Sequence, residues 1–263
     1  SKYFFNCNPE HPYHWFYMEW IKKAKEKQVL YIHFTMDDNP SLSQSVKDRY
    51  KSLYSGAFYE RFIEGKWVTA QGLVYPMFSP ERHIKKCKGK FNRFYLSCDY
   101  GTVNPFSLGL WGECDGKWFR LDEYYYSGRD NGIQLTDEEY YRELEKLAEN
   151  REITALIIDP SAASFIQTVL RHGKFRVVKA NNDVLTGINR VCQALKDEEI
   201  FIYPACTDAI REFSIYRWDD NIKKDAVKKE NDHAMDDIRY FVATVLGREN
   251  QNSAFASVAI ERN

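Results

Sequence analysis

The sequence has 263 residues, of which 44% are apolar, so it can build the core of one large domain or of two small ones. Its 37 basic and 38 acidic residues nearly cancel, which excludes a uniformly basic nucleic-acid-binding protein and leaves only local basic surfaces. No apolar run approaches the roughly 18 residues that a membrane-spanning helix needs, so we expect no membrane partner.

The six cysteines show no spacing typical of a zinc site, and several fall within predicted strands or helices. We therefore expect them to be reduced thiols, as in a protein of the cytoplasm. They are Cys7, Cys87, Cys98, Cys114, Cys192 and Cys206.

Residues 1–80 are irregularly patterned, and we place a linker or domain junction near residue 80. Apolar runs predict two strands, and the pattern predicts three helices before the mixed stretch 66–90. The predicted strands are 3–5 and 29–34, and the predicted helices are 14–21, 43–54 and 58–63. Because the chain opens in a buried-looking strand with no earlier strand to pair with, we expect this segment to be part of something larger.

Residues 81–263 have a more regular pattern, which predicts an α/β domain. The expected strands are 94–99, 107–112, 117–125, 153–158, 175–178 and 200–203, and the expected helices are 136–150, 162–172, 186–196, 208–216 and 232–246. An Asp-Gly turn joins the second and third strands as a hairpin. Three antiparallel strands followed by alternating helices and strands describe a mixed sheet with helices on its faces. We expect a flexible tail from Arg248 onward.

Acidic residues close two apolar strands of this domain and recur at the start of its last helix. Asp99 ends the first strand, and Asp159 directly follows the strand 153–158. If these strands are neighbours, both carboxylates lie at one edge of the sheet, where open sheets place their sites. The last helix adds four candidates, Asp232, His233, Asp236 and Asp237. Converging carboxylates suit Mg²⁺ or Mn²⁺, so the pattern predicts a divalent-metal site.

Each of these residues also has an ordinary structural interpretation. Aspartate is common in turns, which suits Asp99 and Asp159, and Asp232 could simply cap the last helix. His233 could be a structural histidine. The conjunction of one acid on each of three elements is what favours metal-dependent phosphoryl chemistry.

Two basic runs flank the candidate site in the sequence. The first contains Arg82, Lys85, Lys86, Lys88, Lys90 and Arg93, and the second contains Lys223, Lys224, Lys228 and Lys229. We treat them as candidate contacts to DNA phosphates, although such runs are also typical of solvated surface.

The sequence resembles the large terminase subunit of tailed double-stranded DNA bacteriophages over most of residues 1–247. The most specific part is 232–240, Asp-His-Ala-Met-Asp-Asp-Ile-Arg-Tyr, whose family form is Asp-His-Ala-x-Asp followed by an apolar-Arg-Tyr segment. The resemblance is also carried by Asp99-Tyr100-Gly101-Thr102, Asp159, residues 182–188, and Glu212 with Tyr216 and Trp218.

This resemblance implies an RNase H-like nuclease domain over 81–263 and the C-terminal part of a packaging ATPase domain, with its linker, over 1–80. It implies that Asp99, Asp159 and Asp236 hold two Mg²⁺ or Mn²⁺ ions, with His233 as an auxiliary residue. Asp232 and Asp237 stay in the candidate ligand set; the His-x-x-Asp spacing favours Asp236 over Asp237. No phosphate-binding loop GxxxxGK[ST] occurs, so we expect a truncated fragment that does not hydrolyse ATP by itself.

The function implied by the resemblance is that of a metal-dependent endonuclease that cuts concatemeric DNA when packaging starts and stops. The implied partners are double-stranded DNA, the portal protein and the small terminase subunit, in the host cell cytoplasm. Two alternatives stay open. One is a junction resolvase or transposase-type nuclease on the same fold, and the other is a non-catalytic module that guides or docks DNA in the packaging motor.

Overall fold

The computed structural model describes residues 3–10, 12–54, 56–101, 104–219 and 225–247, and the chain divides into two compact units. The first unit comprises Ser1–Val74 and Arg217–Lys228, and the second comprises Tyr75–Tyr216 and Lys229–Asn263. The sequence pattern places one junction near residue 80 and all of 81–263 in one domain, whereas in the structure the segment 217–228 joins the first unit. The tail expected from Arg248 lies outside the described residues.

The first unit is built from short helices and the returning segment 217–228. Its helices are the π-helical turn Tyr17–Ile21, the 3₁₀ turn Met36–Asp38, α1 (Gln44–Leu53) and α2 (Gly56–Phe62). The buried guanidinium of Arg61 in α2 pairs with Asp225 and donates to the carbonyl of Val68. Trp218 is buried, and its ring lies 6.1 Å from that of Phe58. These contacts explain why the late segment belongs with this unit.

The two strands expected in the first unit are absent from its described residues. Residues 3–10 and 29–34 have no regular secondary structure, and Phe4 and Leu30 are exposed. A strand needs a hydrogen-bonded neighbour, which an apolar sequence alone does not supply. Of the three helices predicted in this unit, 43–54 and 58–63 are present as α1 and α2, and the one over 14–21 is present as the π-helical turn Tyr17–Ile21.

The second unit contains a six-stranded mixed sheet, which confirms the predicted α/β, RNase H-like class. Its strands are β1 (Phe94–Asp99), β2 (Phe106–Cys114), β3 (Lys117–Tyr126), β4 (Ile153–Ile158), β5 (Val177–Lys179) and β6 (Ile200–Ile202). They lie in the order β5-β4-β1-β2-β3-β6. The central strand β1 is parallel to β4 and antiparallel to β2.

Helices flank this sheet, and the longer ones lie where the sequence predicts them. They are α3 (Pro80–His83), α4 (Gly128–Asn131), α5 (Asp137–Ala148), α6 (Ala163–His172), α7 (Val184–Lys196), α8 (Thr207–Ile215) and α9 (His233–Phe241), with a π-helical turn at Val242–Leu246. The predicted capping box of Thr136 and Glu139 begins α5. Within the described ranges, no helix combines the length and the apolar character needed to cross a membrane.

Strand β1 sends alternate side chains to the two faces of the sheet. Leu96 and Cys98 are buried in the core that contains residues of α5 and α6. Ser97 points to the opposite face, where its hydroxyl donates to Asp237 of α9 at 2.7 Å. Asp99, two residues further on, therefore shares the α9 face.

The structure pairs two of the cysteines that we expected to be reduced. Cys87 and Cys114 form a disulfide, with their Cα atoms 6.7 Å apart, while Cys7, Cys98, Cys192 and Cys206 take part in no disulfide among the described residues. The segment before β1 continues the pairing with β2, because the Asn92 amide donates to the carbonyl of Glu113 at 2.9 Å. This pairing brings together two thiols that lie 27 residues apart in the sequence.

Candidate active site

Asp99 and Asp159 lie at the same edge of the sheet. The register of the parallel pair β1 and β4 sets Cys98 opposite Ile158, and each aspartate is the next residue. The predicted adjacency of the two strands is therefore correct, and their carboxyl ends deliver both acids to one place. This is the geometry in which open α/β sheets form sites.

Helix α9 brings His233 to Asp99. Nδ1 of His233 lies 2.8 Å from Oδ2 of Asp99. The pKa of Asp99 is raised to about 6, mainly because the carboxyl group is buried. The hydrogen bond from His233 lowers this pKa, and the negative charge of Asp236 raises it. Burial lowers the pKa of His233, but the hydrogen bond and the charge of Asp99 outweigh it, so this pKa lies above its ordinary value. The pair thus lies in a field of excess negative charge.

Asp232 and Asp236 are held by cations of the protein itself. Nζ of Lys229 lies 3.4 Å from Asp232 and 3.5 Å from Asp236. Arg239 donates to Oδ1 of Asp236 at 2.9 Å. Burial and the charge of Asp236 together raise the pKa of Asp232. Lys229, which we expected to contact DNA, therefore belongs to the acidic cluster.

Asp159 is oriented by neighbours on its own loop and on the loop before α7. The Ser161 amide donates to its Oδ1 at 2.6 Å, and Asn182 donates to Oδ2 at 3.5 Å. Burial raises the pKa of Asp159, but the hydrogen bonds from Ser161 and Tyr240 outweigh it and hold this pKa below its ordinary value. The carboxylate is thus fixed and ionised.

Tyr240 lies among the three acids. It is buried on α9, one turn beyond Asp236, and its hydroxyl contributes to the lowered pKa of Asp159. Its pKa is raised by burial first, and then by the charges of Asp99, Asp236 and Asp159. All three carboxylates are therefore close enough to act on one phenol.

Asp237 serves a different purpose from Asp236. Its side chain is fully buried and forms an ion pair with the equally buried Arg120, whose Nη2 donates to Oδ2 at 2.9 Å. Ser97 and Ser107 donate to the same carboxylate. Since both of its oxygens are occupied by these donors, we remove Asp237 from the candidate ligand set and assign it to the support of α9.

The first turn of α9 is capped by a residue from another helix. Asp232 occupies the N-cap position, but its side chain makes no capping hydrogen bond. Oε2 of Glu212 in α8 instead accepts from the amides of Ala234 and Met235, at 2.8 and 3.3 Å. The capping role that we considered for Asp232 thus belongs to Glu212.

The carboxylates fit a hard divalent cation by their chemistry. Among the described residues, the group whose ligand atoms all lie within 4.8 Å of one another is Cys87, Cys114 and Asp115, in which the two sulfurs are bonded to each other. The acids at the sheet edge are more widely spread. However, the charge of Asp236 raises the pKa of Asp99, and a bound cation would relieve this repulsion.

Solved structures of the large terminase from a thermophilic bacteriophage are similar to this chain. The form in complex with ADP has 47% sequence identity and a TM-score of 0.85, and the match covers 92% of this chain and 62% of that chain. This chain belongs to the large terminase family.

Two further comparisons extend the similarity of this terminase chain. The large terminase subunit of Escherichia phage T5 is 20% identical over 229 residues, which are 81% of this chain and 51% of the T5 protein. The nuclease domain of the P22 large terminase shares the fold, with 16% identity, a TM-score of 0.52, and coverage of 65% of this chain and 90% of that one. No family model matches the sequence. The terminase chain spans about half of the T5 protein and less than two thirds of the protein from the thermophilic bacteriophage.

The first basic run of the terminase chain lies at the far end of β1 from the acids. Arg93 immediately precedes β1 and Asp99 ends it, so the two lie about 20 Å apart at the usual rise of a strand. Lys85 pairs with Glu198, and Arg93 pairs with Glu113. Lys86, Lys88 and Lys90 are exposed. Lys223 and Lys224 lie outside the described residues, and Lys228 lies in the first unit.

Sequence reasoning missed several residues that build the terminase site. They are Arg120, Tyr240 and Asn182 as site-building residues, Glu212 in its capping role, and Lys179 as a basic residue near the same edge of the sheet. Lys179 is exposed at the carboxyl end of β5, beside the end of β4. The order of the parallel strands could have located it, since β5 follows β4 in the same direction. Arg120 gives no local signal, because its partner lies 117 residues away.

Proposed function

We propose that this chain is a divalent-metal-dependent DNA endonuclease, the nuclease part of a phage packaging terminase. It would cut concatemeric double-stranded DNA when packaging begins and when it ends. The observation that carries the proposal is that Asp99 and Asp159 follow adjacent parallel strands at one edge of the sheet, where His233 of α9 lies 2.8 Å from Asp99 and the charge of Asp236 acts on it. Membership of the large terminase family supports it.

Asp99, Asp159 and Asp236 are the residues that would hold the metal, two ions of Mg²⁺ or Mn²⁺. When bound, such ions supply Lewis acidity, which activates an attacking water and stabilises the leaving 3′ oxygen. His233 orients Asp99 through their 2.8 Å hydrogen bond. Arg239 and Lys229 hold Asp236, and Ser161 and Asn182 hold Asp159. Lys229 pairs with both Asp232 and Asp236. Asp232 would therefore add negative charge to the site without holding the metal itself.

The partners and the first unit extend this proposal. Double-stranded DNA would be the substrate, and the portal protein and small terminase subunit would be the assembly partners in the host cell cytoplasm. Residues 1–80 would be the end of the packaging ATPase domain and its linker. The support is that the match to the terminase of the thermophilic bacteriophage extends over 92% of this chain and so reaches into both units.

The test is a plasmid nicking and linearisation assay with the purified chain in Mn²⁺, Mg²⁺ or chelator. We expect cutting that requires metal and that falls by at least about 100-fold in Asp99→Asn, Asp159→Asn and Asp236→Asn. The matched control is Asp122→Asn, an exposed aspartate on β3, which should cut like the wild type. Metal-independent cutting, or full activity in the folded Asp99→Asn variant, would contradict the proposal.

A non-catalytic DNA-guiding module is the second candidate. The observation in its favour is that Lys229 and Arg239 of the chain itself pair with the Asp236 carboxylate. On this interpretation the folded chain binds DNA but cuts none in any metal, and Asp236→Asn lowers stability through the loss of its two cation partners. Calorimetric titration with Mn²⁺ separates the candidates, since the module should bind no ion at this site.

A further inference from the structure

Glu212 is a fully buried carboxylate to which no catalytic or metal-binding role has been assigned. It lies on α8, and its two oxygens have different partners. Oε1 accepts from the hydroxyl of Tyr125 at 2.7 Å, and Oε2 accepts from the backbone amides of Ala234 and Met235. Burial raises the pKa of Glu212 to about 7. Burying a carboxyl group costs free energy, so the hydrogen bonds of Glu212 are needed to offset this cost.

The beginning of α9 explains what the contacts accomplish. The first amides of a helix have no partner inside the helix and need an acceptor from outside. The Asp232 side chain, which occupies the usual capping position, faces Lys229 and His233 instead. The charge of Glu212 also suits the positive end of the helix dipole. Glu212 therefore fixes the first turn of α9 from a neighbouring helix and leaves Asp232 available to the acidic cluster.

The turn that Glu212 fixes carries the residues proposed for chemistry. Ala234 directly follows His233, and Met235 directly precedes Asp236. A shift of this turn would move the His233 ring away from Asp99 and the Asp236 carboxylate away from its place at the sheet edge. Arg211, next to Glu212, also donates to Asn231 just before the helix, at 2.8 Å. Helix α8 thus holds the start of α9 at two points.

We propose that Glu212 is a positioning residue of the nuclease site, which sets the register of His233 and Asp236 by capping α9 from α8. The proposal rests on the proposed nuclease function for its effect on cutting, but its local effect on the α9 turn can be measured without any DNA. Tyr125 is the residue that orients the other oxygen of Glu212.

The first readout is amide hydrogen exchange at Ala234 and Met235 in the full chain. Glu212→Ala should speed exchange at these two amides by at least about tenfold relative to the wild type, because the acceptor is gone. Glu212→Gln keeps one acceptor oxygen and should restore most of the protection. Unchanged exchange in the folded Glu212→Ala variant would overturn the proposal, whether or not the wild type cuts DNA.

The second readout separates positioning from general stability. Glu139→Ala is the matched control, since it removes another capping carboxylate, at the start of α5 on the other face of the sheet. We expect Glu212→Ala to lower kcat for plasmid cutting by at least about tenfold with little change in KM, and Glu212→Gln to recover it. Glu139→Ala should lower Tm but keep kcat. Equal kcat losses in the two alanine variants, or no recovery by glutamine, would refute positioning. A wild type that cuts in no metal refutes the nuclease function instead.

Discussion

Nδ1 of His233 lies 2.8 Å from Oδ2 of Asp99, although 134 residues separate them in the sequence. The contact joins the end of β1 to the beginning of α9, and it is the direct link between the two parts of the candidate site. The proposed role of His233 is to hold Asp99 in one orientation. This role predicts that the two residues act as a unit.

A double-mutant cycle tests that unit. His233→Ala should lower the cutting rate about 10- to 100-fold, because Asp99 loses its orienting hydrogen bond. Asp99→Asn should lower it further, and adding His233→Ala to it should cost little more, since coupled residues are not additive. The measurement is single-turnover plasmid cleavage in Mn²⁺. Fully additive losses would show that His233 acts independently of Asp99.

The buried pair of Arg120 and Asp237 predicts a large effect on stability. Asp237→Asn removes one of the two carboxylates that pair with the buried guanidinium and leaves Glu123, so we expect a loss of about 3 kcal/mol in the free energy of unfolding. The double variant Arg120→Met with Asp237→Leu should recover only part of this loss, because it leaves the buried Glu123 without its Arg120 partner. Urea unfolding measures both, and Lys146→Ala, which breaks the exposed pair with Glu143, should cost at most about 1 kcal/mol. A small effect of Asp237→Asn would mean that the ion pair contributes little to the free energy of unfolding.

Glu212 predicts a pH-dependent stability. Its pKa in the folded state is about 7, above the ordinary value of 4.5, so the folded state holds this proton more tightly than the unfolded state. The stability gained from this difference is present below about pH 4.5 and is lost as the pH rises through 7. Arg211 and His233 face Glu212 and contribute to the observed profile.

The comparison of wild type with Glu212→Gln isolates this titration, because Arg211 and His233 are common to both proteins. Between pH 5 and pH 8, the wild type should lose up to about 3 kcal/mol of unfolding free energy relative to Glu212→Gln. Urea unfolding at these two pH values measures the difference. A constant difference between the two proteins would show that the Glu212 carboxyl does not titrate in this range.

The distribution of lysines predicts which of them contact DNA near the site. Lys179 is exposed at the carboxyl end of β5, whereas Lys86, Lys88 and Lys90 lie beyond the opposite end of β1. We expect Lys179→Ala to weaken DNA binding and to reduce the salt dependence of log Kd by about one unit, the effect of one phosphate contact. Lys86→Ala is the comparison, and an equal effect of both variants would show that the bound duplex extends along the whole strand.

The disulfide predicts the number of thiols that can be titrated. Protein denatured without reductant should expose the four thiols that lie outside the disulfide, and reduction should raise the number to six. Cys87→Ser should lower the stability of the oxidised protein by about 2–4 kcal/mol, since closing a loop restrains the unfolded chain. Six reactive thiols before reduction would instead support the reduced state that the sequence suggests.

The parts of the fold that follow from local patterns could be predicted from the sequence. Strands β1 and β4 are apolar runs, and each leads to an aspartate at its carboxyl end, so their pairing and the shared edge were predictable. Helix α5 has a capping box that marks its first residue. The failures concern long-range pairing. The apolar segments 3–5 and 29–34 have strand-like composition, but no described neighbour forms a ladder with them.

The ambiguity between Asp236 and Asp237 shows what a sequence cannot resolve by itself. Both residues are buried on one helix, and each carries the same carboxylate. Only the packing of α9 on the sheet separates them, because it turns Asp237 towards Arg120 and leaves Asp236 to Arg239 and Lys229. The capping by Glu212 was hidden for the same reason, since it joins α8 to α9 across 22 residues.

Gly109 in β2 leaves the space that the Arg120 guanidinium occupies beside Asp237. A Cβ atom at this position would collide with Nη1 of Arg120. Even alanine would therefore push the guanidinium out of its place and leave Asp237 under α9 without a counter-charge. The positions of this protein that tolerate no substitution should thus include a residue that would touch neither DNA nor metal. A deep mutational scan should find position 109 as intolerant as Asp99.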